Sequence, residues 1–397
     1  MIRSFFYSTL DQINVSLTHF LWVILGARLL LPHDQSVVLS VFFFYVLLII
    51  LSYGLNFSHA YHLKQEALHR FMKLITQFYL PILFLSGFLF ASALYLMNLD
   101  HDWLLAIGVF AFIVLNGLAD FVRRTLYLQD KPKFAFRLGV INTCARIFFV
   151  YFAFLFSFNL TSYLWAWTLG ALPSLIYFFK TSSISFTRFD FKGYRNHVRR
   201  GRYGLINQGL GWTNSYLPFY YLVIVVGVKE AAIFGSIRSL FSFMNIFFEQ
   251  FDTIYPRFMM HSIREKSFMM VNRMHMSFLV LWLLILFVFL TFGEHLLGLV
   301  LGAAYQDHVW ILILSWVGGG FYYMNRSMSI YQRLNKEFNS EVFGSVCAFI
   351  AMGVTLYLIK VYGLQGAAWV GILPHLATFL GLIAYQRFIK NRQVNSV

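Results

Sequence analysis

The feature that most constrains this chain is the placement of its 31 Lys and Arg residues among about a dozen long apolar runs. The basic residues concentrate in every second gap between the runs. The other gaps hold few of them and carry acids such as Asp100, Asp102 and Glu294 instead. Because cytoplasmic loops of membrane proteins are rich in Lys and Arg, this alternation predicts a multi-pass membrane protein with a fixed orientation.

The composition supports the same class. Hydrophobic residues make up 59% of the 397 residues, charged residues make up 12%, and the mean hydropathy is +0.67. The net charge of +15 could suggest nucleic acid. However, basic blocks separated by apolar spans of about 20 residues cannot form one continuous groove, so no nucleic-acid partner is expected. The charge indicates contact with membrane lipids.

The cysteines argue against a disulfide framework or a metal centre. Cys144 and Cys347 are the only two, and both lie inside apolar runs without any metal-ligand spacing. We therefore expect no metal and no cofactor. The first apolar run lacks a small-residue cleavage site, so we interpret it as a membrane span of the mature protein.

Hydropathy predicts an all-α polytopic membrane protein with about twelve transmembrane helices. The expected spans are 5–31, 36–58, 75–97, 103–122, 138–158, 163–179, 204–226, 231–256, 275–292, 308–325, 341–359 and 366–386. An even number of spans places both termini on one side of the membrane. The basic loops identify that side as cytoplasmic.

The longest hydrophilic stretch, 181–203, lies in the middle of the chain and divides it into two sets of six spans. We expect an N-terminal six-helix lobe at 1–190 and a C-terminal six-helix lobe at 191–397. Short sequences recur between the halves, since Gly170-Ala171-Leu172-Pro173 is followed by Gly371-Ile372-Leu373-Pro374 at the corresponding place. With six spans per half, the lobes should be related by a pseudo-two-fold axis along the membrane normal, with a substrate site between them.

Three arginines fall inside the expected spans: Arg28 toward the outer end of span 1, Arg146 near the middle of span 5 and Arg238 in span 8. An arginine at the bilayer centre costs about 2.5–3.5 kcal/mol, so each needs a partner or water. Arg28 could reach the outer headgroups, and Arg238 could cap carbonyls or pack between helices. Arg146 is too deep to reach the headgroups and favours a cavity-facing role. All three arginines are candidate substrate-binding residues, because a guanidinium can bind a diphosphate through two hydrogen bonds.

Spans 1 and 7 are unusually polar for membrane helices. Amide and aromatic side chains together are typical of sugar sites, although interhelical hydrogen bonding is the alternative explanation. The candidate substrate-binding residues on these spans are Gln12, Asn14, Asn207, Gln208, Asn214 and Tyr216.

The acids of the membrane spans are few. Asp11 is the candidate for a protonatable or ion-coupling group, whereas Asp120 and Arg124 have the spacing of an i,i+4 ion pair. No P-loop, H-E-x-x-H or G-x-S-x-G sequence occurs in the chain. No catalytic residues are therefore assigned, and we do not expect an enzyme.

Several short sequences resemble those of the Wzx-type polysaccharide and lipid-linked oligosaccharide flippases, in the superfamily that also contains the multidrug and toxin exporters. They are 26–32 (GARLLLP), 232–240 (AIFGSIRSL), 255–257 (YPR), 301–305 (LGAAY) and 362–368 (YGLQGAA). The resemblance implies a two-lobed transporter of the bacterial inner membrane with a cationic cavity. Many relatives carry an Asp in span 7 where this chain has Leu217 and Pro218, so ion coupling through that position is not expected.

The function that these observations predict is a flippase that translocates an undecaprenyl-diphosphate-linked oligosaccharide, such as an O-antigen, capsule or exopolysaccharide unit, by alternating access. The expected partners are this substrate, membrane lipids and other membrane proteins of glycan assembly. Two alternatives stay open at this point. One is a drug or small-molecule antiporter of the same superfamily, and the other is a membrane enzyme of glycan assembly such as a polymerase or acyltransferase.

Overall fold

A computed structural model describes residues 2–53, 55, 65–97, 102–156, 158–181, 190–241, 255, 259–260, 262, 265, 267, 269–334 and 339–394. Within these residues the regular structure is helical and no strand occurs, which confirms the all-α class. A helix satisfies all its backbone hydrogen bonds internally, as the bilayer interior requires.

Seven of the helical segments are long and apolar enough to cross a membrane by length and composition. They are Pro32–Ser52, Leu74–Leu96, Trp103–Leu128, Pro132–Phe156, Val271–Val300, Asn339–Tyr362 and Leu364–Arg387. Large apolar side chains on these helices face outward, among them Phe148, Tyr151 and Phe152, which are 60%, 62% and 50% exposed. Lipid would cover such a surface, so the chain is a multi-pass membrane protein.

The contacts divide the chain into two compact units. The first unit comprises Met1–His19 and Leu29–Gly209, and the second comprises Phe20–Arg28 and Leu210–Val397. The expected lobe boundary at residue 190 stays a prediction.

The helices that contribute to the first unit are α1 (Ile2–Leu29), α2 (Pro32–Ser52), α3 (Gln65–Met97), α4 (Trp103–Leu128), α5 (Pro132–Phe156), α6 (Leu160–Leu169), α7 (Leu172–Thr181) and the start of α8 (Phe191–Val225). Helix α4 packs against α2, α3, α5, α6 and α7. Its buried residues Leu105, Val109 and Phe112 lie at positions i, i+4 and i+7 of one helix face and contribute to the core of this unit.

The second unit contains the rest of α8, then α9 (Val228–Leu240), α10 (Met269–Val300), α11 (Val309–Leu334), α12 (Asn339–Tyr362), α13 (Leu364–Ala368) and α14 (Leu373–Val394). Short 3-10 helices at Ala303–His308 and Trp369–Gly371 connect them. Helix α11 packs against α9, α10, α12, α13 and α14. Helices α4 and α11 correspond to the expected spans 4 and 10. In each expected half, the fourth span is therefore the one that packs against most of the other helices of its unit.

The sixth expected span, 163–179, is not one continuous helix. The structure has two ten-residue helices, α6 and α7, which are separated by Gly170 and Ala171. The second Gly-x-Leu-Pro sequence also lies at a break, because α14 begins at Leu373 directly after the 3-10 helix. In both copies the proline is the second helical residue, where its missing N–H breaks no hydrogen bond.

Candidate functional site

The first polar cluster surrounds Asp11, whose side chain is fully buried in the first unit. Arg123 Nη1 lies 3.0 Å from Asp11 Oδ2, and the Tyr127 hydroxyl donates to the same oxygen at 2.7 Å. The other oxygen, Oδ1, is buried without a hydrogen-bond partner among the described residues. Asp11 is therefore an ion-paired carboxylate with one free acceptor.

Arg123 also connects Asp11 to a second acid. Its Nη2 donates to Asp120 Oδ1 at 3.3 Å, while Arg124 Nε donates to Asp120 Oδ2 at 2.6 Å. The second contact confirms the predicted i,i+4 ion pair. The Arg124 guanidinium also lies 4.8 Å from the centre of the Tyr53 ring. Two acids and two arginines thus balance one another at this end of α4.

Asn14 and Thr18 of α1 contact α5. The Thr143 hydroxyl lies 3.2 Å from Asn14 Oδ1 and 2.7 Å from the Thr18 hydroxyl. Gly139 permits this approach, since a Cβ on it would lie 2.8 Å from Asn14 Nδ2. Asn14 therefore takes part in interhelical hydrogen bonding within the first unit, and its assignment to a sugar site stays a prediction.

Arg146, on α5, packs between α4 and α6. Its Nη2 donates to Asn116 Oδ1 at 2.6 Å, and its guanidinium lies 5.5 Å from the centre of the Trp167 ring. Asn116 and Trp167 are each only 3% exposed, whereas Arg146 itself is partly buried. Its Nε is buried and finds no hydrogen-bond acceptor among the described residues.

Arg238 occupies a comparable environment in the second unit, on α9. Its guanidinium lies 5.7 Å from the centre of the Phe234 ring, and its Nη1 is buried without an acceptor among the described residues. Tyr216 and His375 are close enough to interact with it electrostatically. Within the described part of the chain, neither Arg146 nor Arg238 forms an ion pair.

Residues of α8 lie around Tyr216. The Trp212 ring is 5.9 Å from the ring of Tyr216 and equally far from that of Tyr220. Asn214 is partly buried, and its Oδ1 has no hydrogen-bond partner among the described residues. Tyr216 and Arg238 thus lie near each other in the second unit. Their assignment to a substrate site stays a prediction.

Arg28 is exposed and caps a helix. Its Nε donates to the Val300 carbonyl at 3.0 Å, and its Nη2 donates to the carbonyls of Gly298, at 3.1 Å, and Leu299. These carbonyls end α10, where the helix dipole favours a cation. The geometry gives Arg28 a structural role, and its predicted substrate contact stays a prediction.

The remaining predicted residues show fewer contacts. Gln12 and Gln208 are partly buried in the first unit, and the side chain of Asn207 lies outside what the structure describes. Their assignment to a sugar site stays a prediction.

Sequence reasoning missed the residues that surround the arginines. Asn116 is a polar residue in the middle of the apolar span 4, a signal that could have selected it, whereas no sequence pattern pointed to Trp167 or His375. A further missed group is a hydrogen-bonded chain in which His275 lies between two phenols, 3.1 Å from the Tyr255 hydroxyl and 3.0 Å from that of Tyr323.

The comparisons with known proteins agree with this architecture. No family model and no curated protein matches the chain. Among solved structures, an inward-facing multidrug resistance MATE family transporter of the MOP superfamily matches with a TM-score of 0.66 and 13% identity. That match covers 99% of this chain and 96% of the transporter.

Two further structures extend the comparison. An outward-facing MATE family transporter matches with a TM-score of 0.60 and 14% identity, over 97% of this chain and 94% of its own. The third is a MOP superfamily transporter from Pyrococcus furiosus, described as having a binding pocket of reverse polarity that suggests a different function. It matches with a TM-score of 0.53 and 12% identity, and the match covers 96% of this chain and 94% of that transporter. The MATE neighbours have twelve transmembrane helices in two lobes. The chain therefore shares the fold of these transporters over nearly its whole length.

Proposed function

We propose that this protein is a membrane transporter that works by alternating access and carries an amphiphilic anion. The transporter part rests on the fold, since the neighbours include both inward-facing and outward-facing MATE structures and each covers nearly the whole chain. The neighbours are transporters, so the alternative of a glycan-assembly enzyme finds no support among them.

One observation supports the anionic cargo. Arg146 and Arg238 each keep a buried N–H without an acceptor and have no acidic partner among the described residues. A buried guanidinium without a counter-ion is costly, and a bound anion would supply both the charge and the missing acceptor. Arg123 and Arg124, which are partly buried, differ from these two arginines because Asp11 and Asp120 neutralise their charges.

Two cargo classes fit this proposal. A small-molecule antiporter has the closer support from the comparisons, because most of the neighbours named above are multidrug transporters. A flippase for a lipid-linked diphosphate glycan of the bacterial inner membrane is supported by the resemblance of the short sequences and by the preference of guanidinium for phosphate. In either case Asp11 is the candidate coupling group, and its free Oδ1 is the atom that would take a proton.

The test uses the purified full-length protein in proteoliposomes with three probes: an anionic fluorescent amphiphile, a cationic dye and a short-chain lipid-linked diphosphate sugar. We expect the wild type to move one of the anionic probes. Arg146→Ala and Arg238→Ala should each lower that rate about tenfold or more at unchanged protein level. Arg146→Lys should recover part of the rate, because an ammonium keeps the charge and loses the planar fork.

Arg137→Ala is the matched control, since Arg137 lies on the same helix as Arg146 and is exposed. Transport of the cationic dye alone, unaffected by either arginine substitution, would overturn the anionic cargo and leave a cation antiporter. If the wild-type protein moved none of the three probes, the transporter proposal would be overturned. Complementation of a strain that lacks its glycan flippase separates the two anionic cargo classes.

A further inference from the structure

The first turns of α8 form an amphipathic segment whose inner face contacts α3 and Leu55, which follows α2. Tyr194 stacks on Phe78 with ring centres 3.9 Å apart and an angle of 10° between the planes. His197, only 6% exposed, lies on the same face of the helix. Gly201 continues that face, because a Cβ there would lie 2.5 Å from the Leu55 carbonyl oxygen.

The contact with Phe78 also sets the depth of this segment. Phe78 lies about one turn inside the apolar span Leu74–Leu96. A helix stacked on it lies at the level of the membrane interface. Phe191, at the start of α8, is 69% exposed and adds an apolar side chain at that level.

The outer face of the segment is basic. Lys192, Arg195 and Arg199 are all exposed and follow a helical spacing that places them within an arc of about 60°. None of the three forms an ion pair in the described part of the chain. The nearest acid in sequence, Asp190, accepts a hydrogen bond from the Gly193 amide at 2.8 Å.

These charges do not stabilise the helix that carries them. Lys192 is the second residue of α8, where the positive end of the helix dipole disfavours a cation. Helix formation therefore does not explain the basic residues. A negatively charged membrane surface beside them would explain their presence.

We propose that Lys192, Arg195 and Arg199 form a site for the headgroups of anionic phospholipids in the leaflet that borders the start of α8. The segment lies at headgroup depth, its inner face is occupied by protein, and its outer face carries three cations in one stripe. Anionic headgroups supply the complementary charge, and each cation near an anionic surface favours binding by roughly fivefold at low ionic strength. This site does not depend on the transported cargo.

The experiment measures the association of spin-labelled phosphatidylglycerol and spin-labelled phosphatidylcholine with the reconstituted full-length protein. Wild-type protein should prefer phosphatidylglycerol. The triple variant Lys192→Gln, Arg195→Gln and Arg199→Gln should lose most of this preference, and added salt should weaken the preference of the wild type. The conservative variant Arg195→Lys with Arg199→Lys should keep it, because headgroup attraction depends on charge.

The matched control is Lys131→Gln with Lys133→Gln and Arg137→Gln, which removes three other exposed cations near the start of α5. It should keep most of the preference if the site is on α8, and both triple variants should unfold at the wild-type temperature. An unchanged preference in the α8 triple variant, or an equal loss in the control, would overturn the proposal. Binding of soluble polyglutamate that is lost in the α8 variant, with lipid preference intact, would instead assign the stripe to an acidic protein partner.

Discussion

Gly170 lies directly against the backbone of Arg146. A Cβ on Gly170 would be 2.8 Å from the Arg146 Cα and 2.9 Å from its amide nitrogen. The break between α6 and α7 therefore packs onto α5 at the point where Arg146 turns toward Asn116. Arg146 can occupy this position because residue 170 is a glycine.

Gly170→Ala should destabilise the protein by about 1–3 kcal/mol, because the added methyl group meets backbone atoms that cannot move independently. Thermal unfolding of the purified protein in detergent measures this. Gly353→Ala is the control, since Gly353 lies in α12 with nothing within 4 Å of its Cβ position. That variant should be as stable as the wild type or slightly more stable. Equal stability of the two variants would contradict the close contact.

Arg123→Ala should be among the most destabilising single changes at the end of α4. The substitution leaves the fully buried Asp11 without its cation and removes one of the two arginines that pair with Asp120. We expect the free energy of unfolding to fall by about 3–5 kcal/mol. The double variant Arg123→Ala with Asp11→Asn should regain part of this loss, because the uncompensated charge is removed. Unfolding of both variants, of the single variant Asp11→Asn and of the exposed control Arg137→Ala measures the coupling. Strictly additive effects of the two single changes would show that the pair does not interact.

Arg28→Ala should lower stability by about 1–2 kcal/mol through loss of its hydrogen bonds to the carbonyls that end α10. Transport should continue at the wild-type rate per folded molecule, because the Nε and Nη2 groups of Arg28 already donate to the carbonyls that end α10. Parallel measurements of unfolding temperature and transport test this. A stable Arg28→Ala protein that no longer transports would assign the residue to the cargo instead.

The orientation of the chain can be tested with single cysteines. Cys144 is exposed and Cys347 is partly so, hence both are first replaced by serine. In intact cells, a membrane-impermeant maleimide should label Glu294→Cys, whereas Lys133→Cys should react only after permeabilisation, as the positive-inside rule requires. Both positions are exposed in the structure. The reverse pattern would show that the orientation is inverted.

Much of the architecture follows from local sequence. Long apolar runs predict membrane helices because backbone polar groups have no partner in lipid, and the all-α class is confirmed. The Asp120–Arg124 pair was also predictable, since residues four apart lie on one face of a helix. The break at Gly170 was not predicted, because hydropathy averages over a window and does not register a close helix contact.

The environments of the polar side chains were decided by tertiary structure. Asp11 and Arg123 are far apart in sequence, and only the packing of α1 against α4 brings their charges to 3.0 Å. All three intramembrane arginines were exceptions to hydropathy, yet Arg28 caps α10 whereas Arg146 and Arg238 each keep a buried donor without an acceptor among the described residues. The sequence determines where a charged side chain costs free energy, because that cost depends on the polarity of the neighbouring residues. Which partner offsets the cost depends on distances between charges, and only the folded chain sets these distances.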